Sequence, residues 1–194
     1  RHDMYVIDKS GCKMVELVGA QFFADEPTIF TKPDQNYITK EFEWYNSQNL
    51  SISGLGENPP TEWIKSADRD GFVNSNYGWA IYSTENAAQY NHALYELVAN
   101  RESRRAVMIY TRPTMWHDFD RNGRSDFMCT NDVQYLIRDD YLHCVVNMRS
   151  NDAVYGYKND VAWQKHVMGR LCHDLNKNNM HVSAGDMIWN AGSL

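Results

Sequence analysis

The chain has 194 residues, enough for one domain with a sizeable core, so neither disulfides nor a structural metal is needed to hold it. A formal charge of -6 and a sequence pI near 5.6 exclude the basic footprint of a protein that grips a nucleic acid polymer or an anionic membrane. Any anion it binds must therefore meet a local basic cluster. Hydrophobic residues at 43% and charged residues at 23% suit a water-soluble fold, and the 13% aromatic share points to flat ligands or heavy ring packing. Cys12, Cys129, Cys144 and Cys172 form no C-x-x-C pair, and no secretory or membrane-spanning stretch is visible, which fits a reducing cytoplasm. The chain starts at Arg1 without a methionine and stops at Leu194 in a strand-like stretch, so a single domain over 1–194, trimmed at both ends, is expected.

The segment Lys13 to Ala24 is apolar and β-branched enough for a strand, closed by a turn at Asp25-Glu26-Pro27. Asn36 to Gln48 has helical spacing. A second helix is signalled by Ser83 or Thr84 as cap, with Ala87, Tyr90, Leu94, Leu97 and Val98 on one face. Arg105 to Tyr110 reads as a strand and Arg112 to Asp126 as a polar loop. Thr130 to Arg138 and Tyr141 to Arg149 form a hairpin around Asp139-Asp140. With that turn, paired residue numbers sum to roughly 279, which sets Cys129 opposite Ser150 and beside Arg149. From Asp160 to Asn176 the pattern is helical, with Val161, Met168, Leu171 and Leu175 as the buried stripe. Strand and helix mix without regular βαβ alternation, so the expected class is α+β.

Most isolated cysteines are inert packing, and three of the four have that reading. Cys129 differs because the hairpin places a guanidinium within reach of its sulfur, and a nearby cation favours thiolate. An ordinary thiol, of pKa about 8.5, is only a few per cent ionised at pH 7; a drop of about 2 units makes the anion dominant. No histidine lies beside Cys129 in sequence, so nothing local supports a cysteine protease. On composition alone, Arg149 pairs with a surface carboxylate, Glu41 sits on a solvated helix face, and Ser103-Arg104-Arg105 is solvated charge. Asp160, just ahead of an apolar helical run, is in the position of a helix N-cap. No His and Cys spacing indicates a metal site.

The stretch Phe127-Met-Cys-Thr-Asn-Asp-Val-Gln-Tyr135, then Arg149-Ser-Asn-Asp-Ala-Val-Tyr-Gly156 and Asn159-Asp160, resembles the thymidylate synthase signature of a cysteine, a Gln-aromatic strand and Arg-Ser-x-Asp-x-x-x-Gly. The similarity runs from Asp8-Lys9-Ser10-Gly11 through Glu41-Phe-Glu-Trp44, Thr61-Glu-Trp63, Tyr77-Gly78 and Ser103-Arg104-Arg105 to Gly185-Asp186-Met-Ile-Trp189. Within that family the chain looks most like the deoxycytidylate hydroxymethylases of large tailed phages, through Asn74-Ser-Asn-Tyr-Gly-Trp79, Ile109-Tyr-Thr-Arg-Pro113 and Ser125-Asp-Phe-Met-Cys129. Met128, Thr130, Met148 and Tyr157-Lys158 depart from ordinary thymidylate synthases in the same direction.

The resemblance implies a thymidylate synthase-like α+β catalytic domain with a mixed, twisted sheet, helices on one face and homodimerisation through the other. It implies that Cys129 adds to C6 of dCMP and that C5 takes a one-carbon unit from 5,10-methylenetetrahydrofolate. Water then completes a hydroxymethyl group, where a thymidylate synthase would deliver hydride. Glu41 matches the glutamate that organises proton transfers. Arg149 and Ser150 match the phosphate grip, with Lys9 and with Arg104 and Arg105, which in this family reach across the dimer. Trp63 and Asp152 match folate contacts, and Tyr77 the active-site tyrosine; bland readings of the three are a core ring, a turn aspartate and a packed ring. No metal, membrane or polymeric nucleic acid partner is implied, and the cell is an infected bacterium.

Counting four from Gly156 to the family's base-reading asparagine lands on Asp160, whose carboxyl suits the amino edge of cytosine. A one-residue deletion would instead make Asn159 that asparagine and the substrate a uridylate. The neighbouring residues favour Asp160. Two other readings are a thymidylate synthase, or a uridylate or cytidylate hydroxymethylase, of the same family, and a non-catalytic nucleotide-binding dimer. Ribose and deoxyribose are not distinguished, because the family's His-x-Tyr pair would follow Leu194.

Overall fold

In the computed structural model, which describes residues 5–7 and 11–194, alternating burial in the second half of the chain builds a five-stranded sheet. The strands are β1 (Tyr5–Ile7), β2 (Lys13–Val15), β3 (Val18–Phe23), β4 (Val107–Ile109), β5 (Thr130–Arg138), β6 (Tyr141–Met148) and β7 (Ser183–Ser193). The helices are α1 (Gln35–Ser47), α2 (Thr61–Ser66), α3 (Tyr77–Tyr82), α4 (Gln89–Ala99), α5 (Met115–Asp118) and α6 (Tyr157–Lys177). The sheet runs β3-β7-β6-β5-β4, antiparallel except for β6 and β7, while β1 and β2 pair separately. This is the expected α+β class with a mixed sheet.

One sheet face is sealed. Val133, Tyr135 and Ile137 of β5, Leu142, Cys144 and Val146 of β6, and Met187 and Trp189 of β7 are all buried. α6 lies against β6 and β7, with Val161, Val167, Leu171 and Leu175 buried, and α4 lies against β4. Trp163 of α6 is fully buried among the rings of Phe42, Tyr45, Tyr82 and His166. Each such side chain withdrawn from water contributes about 1.5–3 kcal/mol. The opposite face is half-exposed and carries a hydrogen-bonded polar row across four strands. Gln21 donates to Asn190 (2.8 Å), Asn190 to Asn147 (2.9 Å) and Asn147 to Asp132 (2.8 Å).

Several sequence expectations shift. The strand expected over Lys13 to Ala24 breaks in two, because Lys13–Val15 pairs with β1 while Val18–Phe23 pairs with β7. Ser83 does cap, but it caps a single 3-10 turn, Thr84–Asn86; Ala87 and Ala88 then take left-handed backbone before α4 begins at Gln89. The polar loop before Cys129 contains α5 and a further 3-10 turn, Arg121–Gly123. The hairpin keeps the predicted sum of 279 from Arg138↔Tyr141 to Asp132↔Asn147. A bulge between Thr130 and Asp132 then shifts the register by one, to Thr130↔Met148. Cys129 therefore faces Arg149 rather than Ser150, and its carbonyl accepts the Arg149 N–H at 2.8 Å.

Candidate active site

The bulge turns the open end of the hairpin into one wall of the site. Arg149 donates from Nη2 to the Phe127 carbonyl (2.6 Å) and from Nε to the Met128 carbonyl (2.9 Å). These bonds hold Nη2 3.6 Å from the Cys129 sulfur, with the guanidinium over the Phe127 ring. Arg149 thus binds the peptide around the cysteine, not the surface carboxylate that composition suggested. The expected thiolate does not follow. Burial pushes the Cys129 thiol up to about 11, and the carboxyls of Asp160 and Asp126 add to the rise. Arg149 and a hydrogen bond from Ser150 pull in the other direction without overcoming desolvation. The cation is where the hairpin placed it, and low dielectric wins.

The facing wall is built on helices. Glu41 of α1 is 3% exposed, so it is no solvated face. Tyr37, one turn earlier, donates its phenol proton to Glu41 Oε1 at 2.6 Å and accepts from the indole N–H of Trp63 on α2 at 2.8 Å. Burial raises the Glu41 carboxyl to about 7, against the pull of the Tyr37 and Trp63 hydrogen bonds. Trp63 stands edge-on to Trp44, with ring centroids 5.0 Å apart.

Asp160 lies one turn inside α6, not at its cap, since its own N–H bonds the Gly156 carbonyl at 3.1 Å. The cap-like work falls to Asp152, exposed at this point, whose Oδ1 accepts from the backbone N–H groups of Val154 (2.7 Å) and Tyr155 (3.0 Å). Burial, then the Glu41 charge, raises the Asp160 carboxyl to about 8, with Asn151 and Tyr77 bonding its ionised form. Asn151 donates to Asp160 Oδ2 at 2.7 Å. Among the described residues Asn159 has no such link: its amide reaches only the Tyr155 carbonyl, at 3.5 Å, and its Oδ1 is buried without a hydrogen-bond partner. Asp160, rather than Asn159, is thus the one coupled to Glu41, Tyr77 and Cys129.

Tyr77 lies between the walls, its phenol held neutral by burial and by the charge of Asp160, and its ring stacks on Tyr45, 5.3 Å away. Gly78 permits this. A Cβ there would stand 1.8 Å from the Tyr45 carbonyl oxygen, so only glycine lets α3 approach α1. Asn76 caps α3, bonding the Trp79 N–H at 2.7 Å, while its amide holds the carbonyls of Trp44 and Asn49. Buried Asp126 accepts from the backbone N–H groups of Asn74 (2.6 Å) and Ser75 (2.8 Å), tying the loop before Cys129 to α3.

Tyr37, Asn151 and Asp126 were not singled out in the sequence. Tyr37 had a legible signal, four residues before Glu41 on one helix face. Arg104 and Arg105 are not brought to Cys129. The Arg104 carbonyl bonds Gln134, five strand residues from Cys129, or about 17 Å. Arg105 pairs with Glu96 of its own chain at 2.9 Å. Lys9 lies outside the described residues. Among the described residues no three His, Cys, Asp or Glu side chains group to hold a metal, and no helix is long and apolar enough to cross a membrane.

The thymidylate synthase family model matches residues 8–193. Over 192 residues, 98% of this chain and 78% of the relative, the sequence is 52% identical to the deoxycytidylate 5-hydroxymethyltransferase of Enterobacteria phage T4, and equally to those of phages T2 and T6. A thymidylate synthase of Coxiella burnetii is 24% identical over 163 residues, 80% of this chain and 57% of that one. The crystal structure of thymidylate synthase from T4 phage superposes with a TM-score of 0.76 at 16% identity, covering 97% of this chain and 69% of that chain.

Proposed function

The chain belongs to the thymidylate synthase family, and we propose that within it the protein is a deoxycytidylate 5-hydroxymethyltransferase, making 5-hydroxymethyl-dCMP for modified phage DNA in the cytoplasm of an infected bacterium. The observation that carries this is the Asp160 carboxyl, half-buried on the first turn of α6, held by Asn151 at 2.7 Å and close enough to Cys129 to raise its thiol; desolvation lifts the carboxyl to about 8, which favours its protonated form at pH 7. Such a group donates to N3 of cytosine and accepts from its N4 amino group, whereas uracil presents an N–H and a carbonyl there. A base that leaves buried polar groups unpaired is rejected by roughly 10⁴- to 10⁵-fold in sites of this kind.

The Cys129 sulfur bonds to C6 of the pyrimidine, and the electron pair of the C5–C6 double bond makes C5 a carbon nucleophile. The half-buried thiol gives up its proton to solvent, Arg149 and Ser150 stabilise the anion that results, and Arg149 with Ser150 also suits the phosphate. When bound, 5,10-methylenetetrahydrofolate supplies the one-carbon unit. The half-buried ring of Trp63 and the exposed carboxyl of Asp152 fit its pterin as a stacking surface and an acceptor. Loss of the C5 proton and departure of tetrahydrofolate would leave an exocyclic methylene on C5; water adds to it, Glu41 takes the proton of that water, and the C5–C6 double bond re-forms as the sulfur–C6 bond breaks. Lys9 is assigned to the phosphate by the family match alone. Arg104 and Arg105, too far along the sheet to serve their own Cys129, are assigned to the partner's phosphate in a homodimer formed through the half-exposed face.

Given methylenetetrahydrofolate and C5-tritiated dCMP or dUMP, the protein is expected to release tritium from dCMP and form 5-hydroxymethyl-dCMP. Release from dUMP but not dCMP overturns the substrate assignment. Cys129→Ser should lower release by at least about 10³-fold, and release at the parent rate overturns the covalent mechanism.

A further inference from the structure

We infer that Tyr37 is a positioning residue for Glu41, and that the one-way hydrogen-bond chain from Trp63 through Tyr37 decides which oxygen of Glu41 carries its proton. This rests on the reading of Glu41 as the proton-handling group.

An indole N–H can only donate, so at 2.8 Å the Tyr37 oxygen is the acceptor from Trp63. The phenol keeps one proton of its own, and Glu41 Oε1 lies 2.6 Å away to receive it. In the reverse arrangement the phenol oxygen would accept from both Trp63 and Glu41. Its own proton would then have to turn away from both, to a water or to no protein partner among the described residues, giving up the charge-assisted bond to an ionised Glu41. Oε1 is thereby committed as an acceptor. A proton held by Glu41 is better placed on Oε2, because the carbonyl oxygen of a carboxylic acid accepts a hydrogen bond more strongly than its hydroxyl oxygen, and Oε1 is the one that accepts from Tyr37. Burial and the neighbouring Glu41 charge keep Tyr37 a neutral phenol, so the direction of the chain does not change with working pH. The same chain ties the ring proposed to carry the pterin to the carboxyl proposed to take a proton from water.

The groups that face Glu41 are Tyr37 and Tyr45 from its own helix, Trp63 from α2 and Asp160 from α6, with Tyr77 of α3 beyond Tyr45 and beside Asp160. Of these only Asp160 also changes charge near neutrality, so the two carboxyls must be read separately. An infrared titration of the carboxyl stretches does this, with Glu41→Gln and Asp160→Asn each deleting one band. Tyr37→Phe removes a bond that favours ionised Glu41, so the Glu41 midpoint should rise by about one unit above its value in the parent. The variant's kcat for hydroxymethylation should fall about 10- to 100-fold with KM for dCMP unchanged. Trp63→Phe, which keeps a ring but deletes the donor, should move the midpoint in the same direction by less. It carries the same readout should Tyr37→Phe melt early. A parent-like midpoint and kcat in Tyr37→Phe, beside an inactive Glu41→Gln, overturns the assignment of Tyr37 alone. Full hydroxymethylation by Glu41→Gln would instead remove the reading of Glu41 on which it rests.

Discussion

The two walls of the site answer to the same physics with opposite chemical results. On the hairpin wall, burial holds Cys129 as a thiol even though Arg149 stands 3.6 Å from its sulfur. On the helical wall, burial holds Glu41 and Asp160 partly or mostly protonated at neutral pH, with neutral donors bonded to both and, among the described residues, no cation beside either. Desolvation thus opposes the thiolate that the proposed mechanism requires, keeps Asp160 in the acid form proposed to read cytosine, and leaves Glu41 close to its own midpoint, able to take or give a proton. The carboxyl wall is ready in the free protein. In the proposed mechanism the thiol wall is drawn into its reactive form by Arg149 and Ser150.

The comparison is broken most decisively at Asp160. Asp160→Asn replaces an acid able to donate to N3 of cytosine with an amide matched to uracil, and the ratio of kcat/KM for dCMP over dUMP should fall by about 10²-fold or more. Unchanged selectivity would move the base-reading role elsewhere, with Asn159 the first residue to test. A smaller effect sharpens the thiol wall. Alkylation of Cys129 by iodoacetamide, followed on its peptide by mass spectrometry, should be slow at pH 7 and rise about tenfold per pH unit to beyond pH 9. A plateau near pH 7 would mean that Arg149, not burial, sets the thiol.

The smallest effect concerns stability. Asp160 is raised to about 8, whereas an unfolded aspartate titrates near 4, so the folded chain holds a proton that the unfolded chain has released. Stability from this group is fully present below about pH 4 and is lost as pH rises towards 8. Asp160→Asn should remove that slope, and its melting temperature relative to the parent should climb between pH 5 and 9, by roughly 2–4 °C for each kcal/mol relieved. A parallel pH dependence in variant and parent would show that Asp160 ionises without penalty.

Much of this was legible beforehand because it rests on local rules. The hairpin register follows from a two-residue turn and held for most of its length. α1, α6 and the class of the fold follow from apolar spacing. Cys129 beside Arg149 follows from the hairpin, and the pairing became direct only because a bulge, which no spacing announces, removed one residue of offset. The break in the first long strand was hidden because its halves pair with β1 and β7, at opposite ends of the sequence.

Residue types and their order along the chain determined by themselves the family, and with it the residues proposed as nucleophile and as working carboxyls. Protonation was decided only by the tertiary structure. A side chain's charge depends on how much water surrounding elements exclude, and α1, α3, α6 and the hairpin converge from distant parts of the chain to exclude it. The same convergence decided that Asp160 reads inward while Asp152 caps the turn, and that Trp63, Tyr37 and Glu41 form one chain, since a hydrogen bond's direction exists only once its three partners meet.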